Sequence, residues 1–211
     1  MSKLKNLLWL ALICAGPALA GAQIYEPLSA SVQADMSKAI SDQAVQTSLT
    51  RTPAAQAWLA EMSRRLAKRL PDKEYRDDLL ETVYYEASRA GLDPEMVMGL
   101  IEVESGFRKY AVSSVGARGY MQVMPFWVQQ IGTPDQDLFH LRTNLRYGCT
   151  ILRHYLDIER GDLFRALGRY NGSLGQAQYP NAVHAAWRRH WTTGVLPASY
   201  RSNAVPIKKG S

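Results

Sequence analysis

The stretch Asp93-Pro94-Glu95-Met96-Val97-Met98-Gly99-Leu100-Ile101-Glu102-Val103-Glu104-Ser105-Gly106-Phe107 decides how this chain is read. Asp before Pro gives a helix an N-cap and a first residue that needs no N–H, and Gly106 gives it a stop. With both ends anchored, the phase follows. Advancing about 100° per residue, Val97, Leu100, Ile101 and Glu104 share one face, while Glu95, Gly99 and Glu102 lie on the opposite one. Glu104 thus extends an apolar stripe. Burial favours the neutral acid and the C-terminal end of a helix disfavours an anion, so both effects raise its pKa. A carboxyl still protonated near neutral pH is a general acid. The same phase is compatible with a structural glutamate satisfied by an arginine elsewhere, because ion pairs also perturb carboxylates.

Working outward from this helix, period-3.6 patterning recurs and period-2 alternation does not. Residues 75–90 place Leu79, Leu80, Val83, Tyr84 and Ala87 on one side, with Gly91 as a stop. Thr52-Pro53 opens a helix whose stripe of Trp58, Leu59, Met62, Leu66 and Leu70 lies opposite Arg64, Arg65 and Lys68, a basic run read as a solvated face. Residues 28–49, through Leu28, Val32, Met36, Ala39 and Ile40, predict a docking helix. Downstream, residues 107–116 read as loop, and Tyr120, Met121, Val123, Met124, Trp127 and Ile131 predict a short helix. A longer helix follows over 143–159, another is capped by Asp162, and the last covers 181–191. The fold class expected is mainly α.

The chain has 211 residues, which suits one domain with an extension. Lys3 and Lys5, an apolar run over 7–15 and Ala18-Leu19-Ala20 together read as a cleavable signal peptide at residues 1–20. The run is shorter than the roughly 20 residues of a membrane span, and Gly16-Pro17 interrupts it. No stable membrane anchor is expected, and Ile13 is a poor neighbour for lipidation of Cys14. Cleavage would leave Cys149 as the one cysteine, on a helical face with Leu145, Leu152 and Leu156 and so a core residue in place of a nucleophile. The formal charge of +6 and pI of 9.4 suit a polyanionic partner, which for an exported chain is a membrane surface or a wall polymer and not nucleic acid. His140, His154, His184 and His190 show no HExxH spacing, and neither a GxSxG elbow nor a P-loop is present. No metal or organic cofactor is expected.

Three pieces then stand in order: Glu104-Ser105-Gly106-Phe107; Gly116-Ala117-Arg118-Gly119-Tyr120-Met121-Gln122-Val123-Met124-Pro125; and Arg169-Tyr170-Asn171-Gly172. Together they resemble the lytic transglycosylase SLT domain, a family similar in fold to goose-type lysozyme that cuts the glycan strands of peptidoglycan. The resemblance covers about residues 75–191. It implies that Glu104 is the general acid and base and that Ser105 is a polar contact beside it. It also implies that Tyr120, Met121 and Gln122 line the cleft, with Met121 and Gln122 touching sugar, that the Tyr170 phenol bonds near the acid, and that Asn171 holds an N-acetyl group. From the residues alone, a core role for Met121 and a helix-terminal role for Asn171 stay open. Tyr120 stands where the family usually has Leu, and Arg169 where it often has Ala. The usual Glu-Thr-x-x-Tyr-Val end is missing, which leaves Tyr179 and Asn181 as candidate cleft residues.

Glycoside cleavage usually pairs two carboxylates across the bond. Only one is evident in the three pieces. The resemblance implies a reaction in which the substrate's N-acetyl group stabilises C1 and its C6 hydroxyl attacks in place of water, leaving a 1,6-anhydro-muramic acid end. The expected organisation is a signal peptide (1–20), an N-terminal helical extension (21–74), a catalytic domain (75–191) and a tail (192–211). The expected setting is the periplasm, with peptidoglycan glycan strands as partner, a secretion, pilus or division complex as a further candidate partner, and a monomer as the oligomeric state. A hydrolytic muramidase of the same fold and a non-catalytic wall-binding or assembly protein are the rivals.

Overall fold

The computed structural model describes residues 23–41 and 50–194. The expected signal peptide, residues 42–49 of the first predicted helix and most of the tail lie outside the described residues. The elements are α1 (Ala30–Ser41), α2 (Pro53–Leu66), α3 (Lys73–Arg89), α4 (Pro94–Ser105), α5 (Phe126–Ile131), α6 (Leu141–Ile158), α7 (Leu163–Tyr170) and α8 (Gln178–Ala186), which runs into a π-helical turn, Trp187–Trp191. The fold is mainly helical, as the periodicity predicts. Among the described residues the β pairing is confined to two isolated antiparallel bridges, Val112 with Arg118 and Arg118 with Val123. No helix among them is long and apolar enough to cross a membrane.

Side-chain caps start four of the helices. Thr52 accepts from Ala55 N, Asp72 from Tyr75 N, Asp93 from Glu95 N and Met96 N, and Asp162 from Arg165 N. Each stabilises its helix by about 1 kcal/mol. At the far end of α4, Gly106 takes the left-handed conformation (φ 58°) and returns its N–H to Glu102 O. The expected phase of α4 is therefore fixed at both ends.

α4 is the central element, packed against α3, α8 and the π-helical turn. Its face opposite Glu104 is also interior. Glu95 is buried and accepts from Thr193 N, which ties the chain after the π-helical turn to the start of α4. At Gly99 an added Cβ would stand 2.7–2.8 Å from the Trp187 backbone and Cβ, so the close approach of the two elements requires glycine. At the same residue the chain departs from the helix predicted over 181–191. The chain does not continue as α-helix but widens at Trp187, with Thr192 N donating to Trp187 O at 3.0 Å.

Two further expectations are corrected. The helix predicted through Tyr120 is shorter and begins only at Phe126. Gly119 (φ 75°) and Gln122 (φ 48°) are left-handed, and Pro125 disfavours helix in the residue before it, so 119–122 form a tight turn closed by the Arg118–Val123 bridge and Met124 leads from it into α5. Nor is Arg65 simply solvated: it donates to His190 O at 2.7 Å and to Thr192 O at 3.3 Å. The extension packs onto the rest of the fold, with α2 on α3 and α1 against α5 and α6. Buried Glu86 gathers Arg89, Arg142 and Arg146, and two of these arginines reach on to the last carbonyls of α1, Arg89 to Ala39 O and Arg146 to Ile40 O.

Candidate active site

Glu104 lies in the last turn of α4 and is half-buried. Its surroundings strip water from the carboxyl, and this desolvation raises its pKa from 4.5 to about 8, against the pull of a hydrogen bond donated by the Tyr179 hydroxyl to Oε1. At pH 7 such a group holds its proton. Tyr179 comes from the first turn of α8, and burial followed by the neighbouring Glu104 charge pushes its phenol well above its ordinary value. It therefore stays a donor. Tyr179 had only been expected near the cleft; its direct contact with the acid is what sequence reasoning missed, because the family's usual pattern at that end is absent.

Glu102, two residues earlier, is the opposite case. Burial works against its charge, but hydrogen bonds with His190, Arg69 and Trp191 outweigh that and hold its carboxyl below the usual range. Arg69 Nη2 donates at 2.5 Å, Trp191 Nε1 donates at 2.7 Å, and His190 Nδ1 stands 2.9 Å away. Glu102 ties the π-helical turn to the turn that follows α2 through three different partners.

Tyr170, at the end of α7, is fully buried and donates to Met121 O at 2.7 Å. Burial raises its phenol well above its ordinary value, and the Glu104 charge adds to this, so the two groups stand close without a direct bond. The 119–122 turn is held from behind by Asn144 on α6, which is wholly buried. Its Nδ2 donates to Arg118 O and Leu138 O at 2.8 Å, and its Oδ1 accepts from Met121 N at 2.8 Å. Removing that side chain would leave Met121 N–H and Leu138 O unpaired, each at a cost of roughly 1–3 kcal/mol, while Arg118 O would keep its bond from Val123 N. An added Cβ at Gly119 would lie 2.4 Å from Asn144 Nδ2, so this turn also demands glycine by space.

The other expected site residues separate into two sets. Tyr120 and Met121, expected to line the cleft, are fully buried in the core. Met121 packs its sulfur against α6, where a Cβ on Gly148 would be 2.3 Å from it, so the side chain supports the turn from behind and offers no surface to a sugar. Ser105 is buried too, with its hydroxyl donating to Ile101 O at 3.2 Å in the same helix and not to Glu104. Gln122 and Asn171 keep a little exposure. The Gln122 amide nitrogen donates to Gly119 O at 2.9 Å and Ala111 O at 3.2 Å, which leaves its oxygen without a partner among the described residues. Asn171 is the C-cap of α7 in right-handed conformation, with Nδ2 donating to Ser173 Oγ at 3.0 Å; the left-handed residue is Gly172 (φ 69°). Cys149 is a buried free thiol, as its helical face predicts. Among the described residues no three of His, Cys, Asp or Glu gather where they could hold one metal ion.

Fold and site define a mainly helical domain built around one desolvated acid, held by a tyrosine beside a turn of left-handed residues. Residues 81–186, half of the chain, match the model of the Transglycosylase SLT domain, and the chain belongs to that family. Over 99 residues it is 33% identical to a transglycosylase of Enterobacteria phage PRD1, covering 47% of this chain and 36% of that protein. Over 95 residues it is 46% identical to the membrane-bound lytic murein transglycosylase C of Glaesserella parasuis serovar 5 (strain SH0165), covering 43% and 24%. A protein of the same name from Actinobacillus pleuropneumoniae serotype 5b (strain L20) is 51% identical over 39 residues, covering 18% and 11%. The chain thus spans about a third of the phage relative's length and a quarter or less of the two bacterial ones.

Proposed function

We propose that this protein is a peptidoglycan lytic transglycosylase that cleaves the β-1,4 bond between N-acetylmuramic acid and N-acetylglucosamine in the periplasm. The observation that carries the reading is the state of Glu104, a carboxyl kept protonated near neutral pH by burial and contacted by one phenol. Glu104 gives its proton to the glycosidic oxygen as the C1–O bond breaks. The carboxylate that results accepts the Tyr179 hydrogen bond, which favours its charged form. The C6 hydroxyl of the muramic acid then bonds to C1 and passes its proton to Glu104, which returns the acid to its starting state and closes a 1,6-anhydro ring. The substrate's own N-acetyl group stabilises C1 between these steps.

Burial and the Tyr179 bond are the two influences that govern Glu104, and Glu102 is engaged with Arg69, His190 and Trp191. This favours intramolecular attack over hydrolysis, which needs a second carboxylate to activate water. The Gln122 oxygen and the Asn171 amide are the groups we assign to sugar hydroxyls and the N-acetyl group. Tyr170 orders the 121 carbonyl, while Ser105, Tyr120 and Met121 act by shaping the walls from behind. Residues 75–191 form the catalytic unit, and residues 21–74 are the part fitted to recruit the enzyme to a secretion, pilus or division complex.

Digestion of purified sacculi followed by mass spectrometry of the soluble muropeptides tests this reading. Anhydro ends, lighter than reducing ends by one water, are expected. Reducing ends would make the protein a muramidase, and sedimentation with sacculi without any soluble product would make it a wall-binding protein.

A further inference from the structure

We propose that Gln23 is a positioning residue of this site: its side-chain amide clamps the backbone of residues 122–124 and thereby holds the turn that carries Gln122 against Tyr170. The proposal rests on the reading of Glu104, Gln122 and Tyr170 as the machinery of glycan cleavage. Gln23 lies far outside the 81–186 stretch that matches the family, yet it is buried, with 5% exposure, on a chain segment of exposed neighbours. A buried amide in such a segment has to be satisfied by what it meets.

What it meets is the open edge of a very short strand. Val123 exchanges both of its backbone bonds with Arg118, each at 3.0 Å, so Val123 faces one side. The carbonyl of Gln122 and the N–H of Met124 necessarily face the other, because successive backbone groups of extended chain alternate. Gln23 fills that side with one group: Nε2 donates to Gln122 O at 3.3 Å, and Oε1 accepts from Met124 N at 3.1 Å. The side-chain amide thus replaces the peptide group that a neighbouring strand would have supplied. It also lowers the pKa of the Tyr170 phenol, against the larger effect of burial, and that hydroxyl is the group that donates to Met121 O and feels the Glu104 charge.

The need for a clamp is local. Gln122 is left-handed (φ 48°) without being glycine, a conformation that persists only where surrounding contacts enforce it. The Arg118 bridge and Asn144 fix one side of the turn, and Gln23 fixes the other. The segment bearing Gln23 is itself strapped down. Tyr25 sets its ring edge-on to Phe126 at 5.5 Å, Glu26 O accepts from Gln130 Nε2 at 3.0 Å, and the Glu26 carboxylate stands 3.7 Å from Arg169. Gln33 Nε2 donates to Gln130 O at 2.6 Å where the segment enters α1. Arg169, which replaces the small residue expected there from the family, therefore has a role: it holds this strap as well as Glu159.

Three full-length variants test the clamp: Gln23→Ala, Gln23→Glu and, as a control on strap packing, Glu26→Ala. For Gln23→Ala, kcat on soluble glycan strands is expected to fall about tenfold or more, with KM and sacculus binding within about twofold, since misplacing a site group by a fraction of an ångström is enough. The Met124 amide, followed by NMR hydrogen exchange, is expected to lose at least about tenfold of its protection once its acceptor is gone. Gln23→Glu is the discriminating variant. A carboxylate accepts from Met124 N–H but donates nothing to Gln122 O, whereas a protonated carboxyl does both, so its activity relative to wild type is expected to rise as pH falls. Glu26→Ala removes one long ion pair and leaves the Tyr25, Gln130 and Gln33 contacts of the strap in place, so kcat and the Met124 exchange rate are expected to stay within about twofold of wild type. Wild-type kcat in Gln23→Ala, or equal losses in Gln23→Ala and Glu26→Ala, would overturn the proposal. Unchanged exchange at Met124 would remove the clamp whatever the activity. A wild-type protein that releases no product would defeat the glycan-cleavage reading and Gln23's part in turnover with it, while Met124 exchange would still decide the clamp.

Discussion

Glu102 and Glu104 stand two residues apart on α4, and their surroundings push their titrations in opposite directions. Both are removed from water, and burial raises both. The difference lies in the donors. Glu102 meets a guanidinium, an indole N–H and an imidazole, which together outweigh the burial and keep it ionised. Glu104 meets one neutral phenol, which does not outweigh it. Desolvation alone does not make an acid; desolvation without compensating charge does. The helix brings this about by geometry, since a two-residue step turns the side chain by about 200° and presents it to a different set of elements. One side meets the π-helical turn and the turn after α2, the other meets α8 and α7.

The comparison breaks first at Glu104→Gln. Turnover on sacculi should fall on the order of 10³-fold while the fold and sacculus binding persist, because the amide keeps the shape and has no proton to give. Tyr179→Phe should follow with a loss of about 10- to 100-fold in kcat. Its signature is a pH shift. The Tyr179 bond lowers the Glu104 pKa, so its removal should move the alkaline limb of the kcat profile, where the acid must still be protonated, to higher pH.

Glu102→Gln should leave turnover within a few-fold and appear instead in stability. Losing the charge opposite Arg69 should lower the free energy of unfolding by about 1–3 kcal/mol, measured by chemical denaturation.

The smallest effect sharpens the contrast through linkage. Glu104 binds its proton more tightly folded than unfolded, so between pH 4.5 and about 8 the folded state holds more protons and stability falls as pH rises. Glu104→Gln should abolish that slope and be the more stable protein near pH 8, by on the order of 1–3 kcal/mol once partial solvent access is allowed for. Below pH 4.5 the two should converge.

The caps explain how much of this was legible in the sequence. Asp93-Pro94 and Gly106 fixed the phase of α4, and with it the separation of Glu104 from Glu102, before any tertiary contact was known. The turn after Gly119 was misread as helix because Tyr120, Met121, Val123 and Met124 are apolar at spacings a helix would also use. What decides there is the left-handed pair Gly119 and Gln122, and φ at a glutamine has no sequence signal. Met121, which the resemblance sets against sugar and the residues alone leave open to a core role, fills the space that Gly148 leaves beside it in the core. Asn144 did carry a signal, a lone amide on the same helical face as Leu141, Leu145 and Gly148, where a buried polar group must have partners. Tyr179 and Gln23 carried little. Each acts on a residue far away in sequence, and periodicity speaks only of neighbours.

The central claim is that two glutamates on one helix end in opposite protonation states. Selective ¹³C labelling of glutamate, with Glu102→Gln and Glu104→Gln used for assignment, allows both side-chain carboxyls to be titrated by NMR. Glu104 is expected to titrate with a midpoint near 8 and Glu102 with one below 4.5. A Glu104 midpoint in the ordinary carboxylate range, or the reverse order, would contradict it.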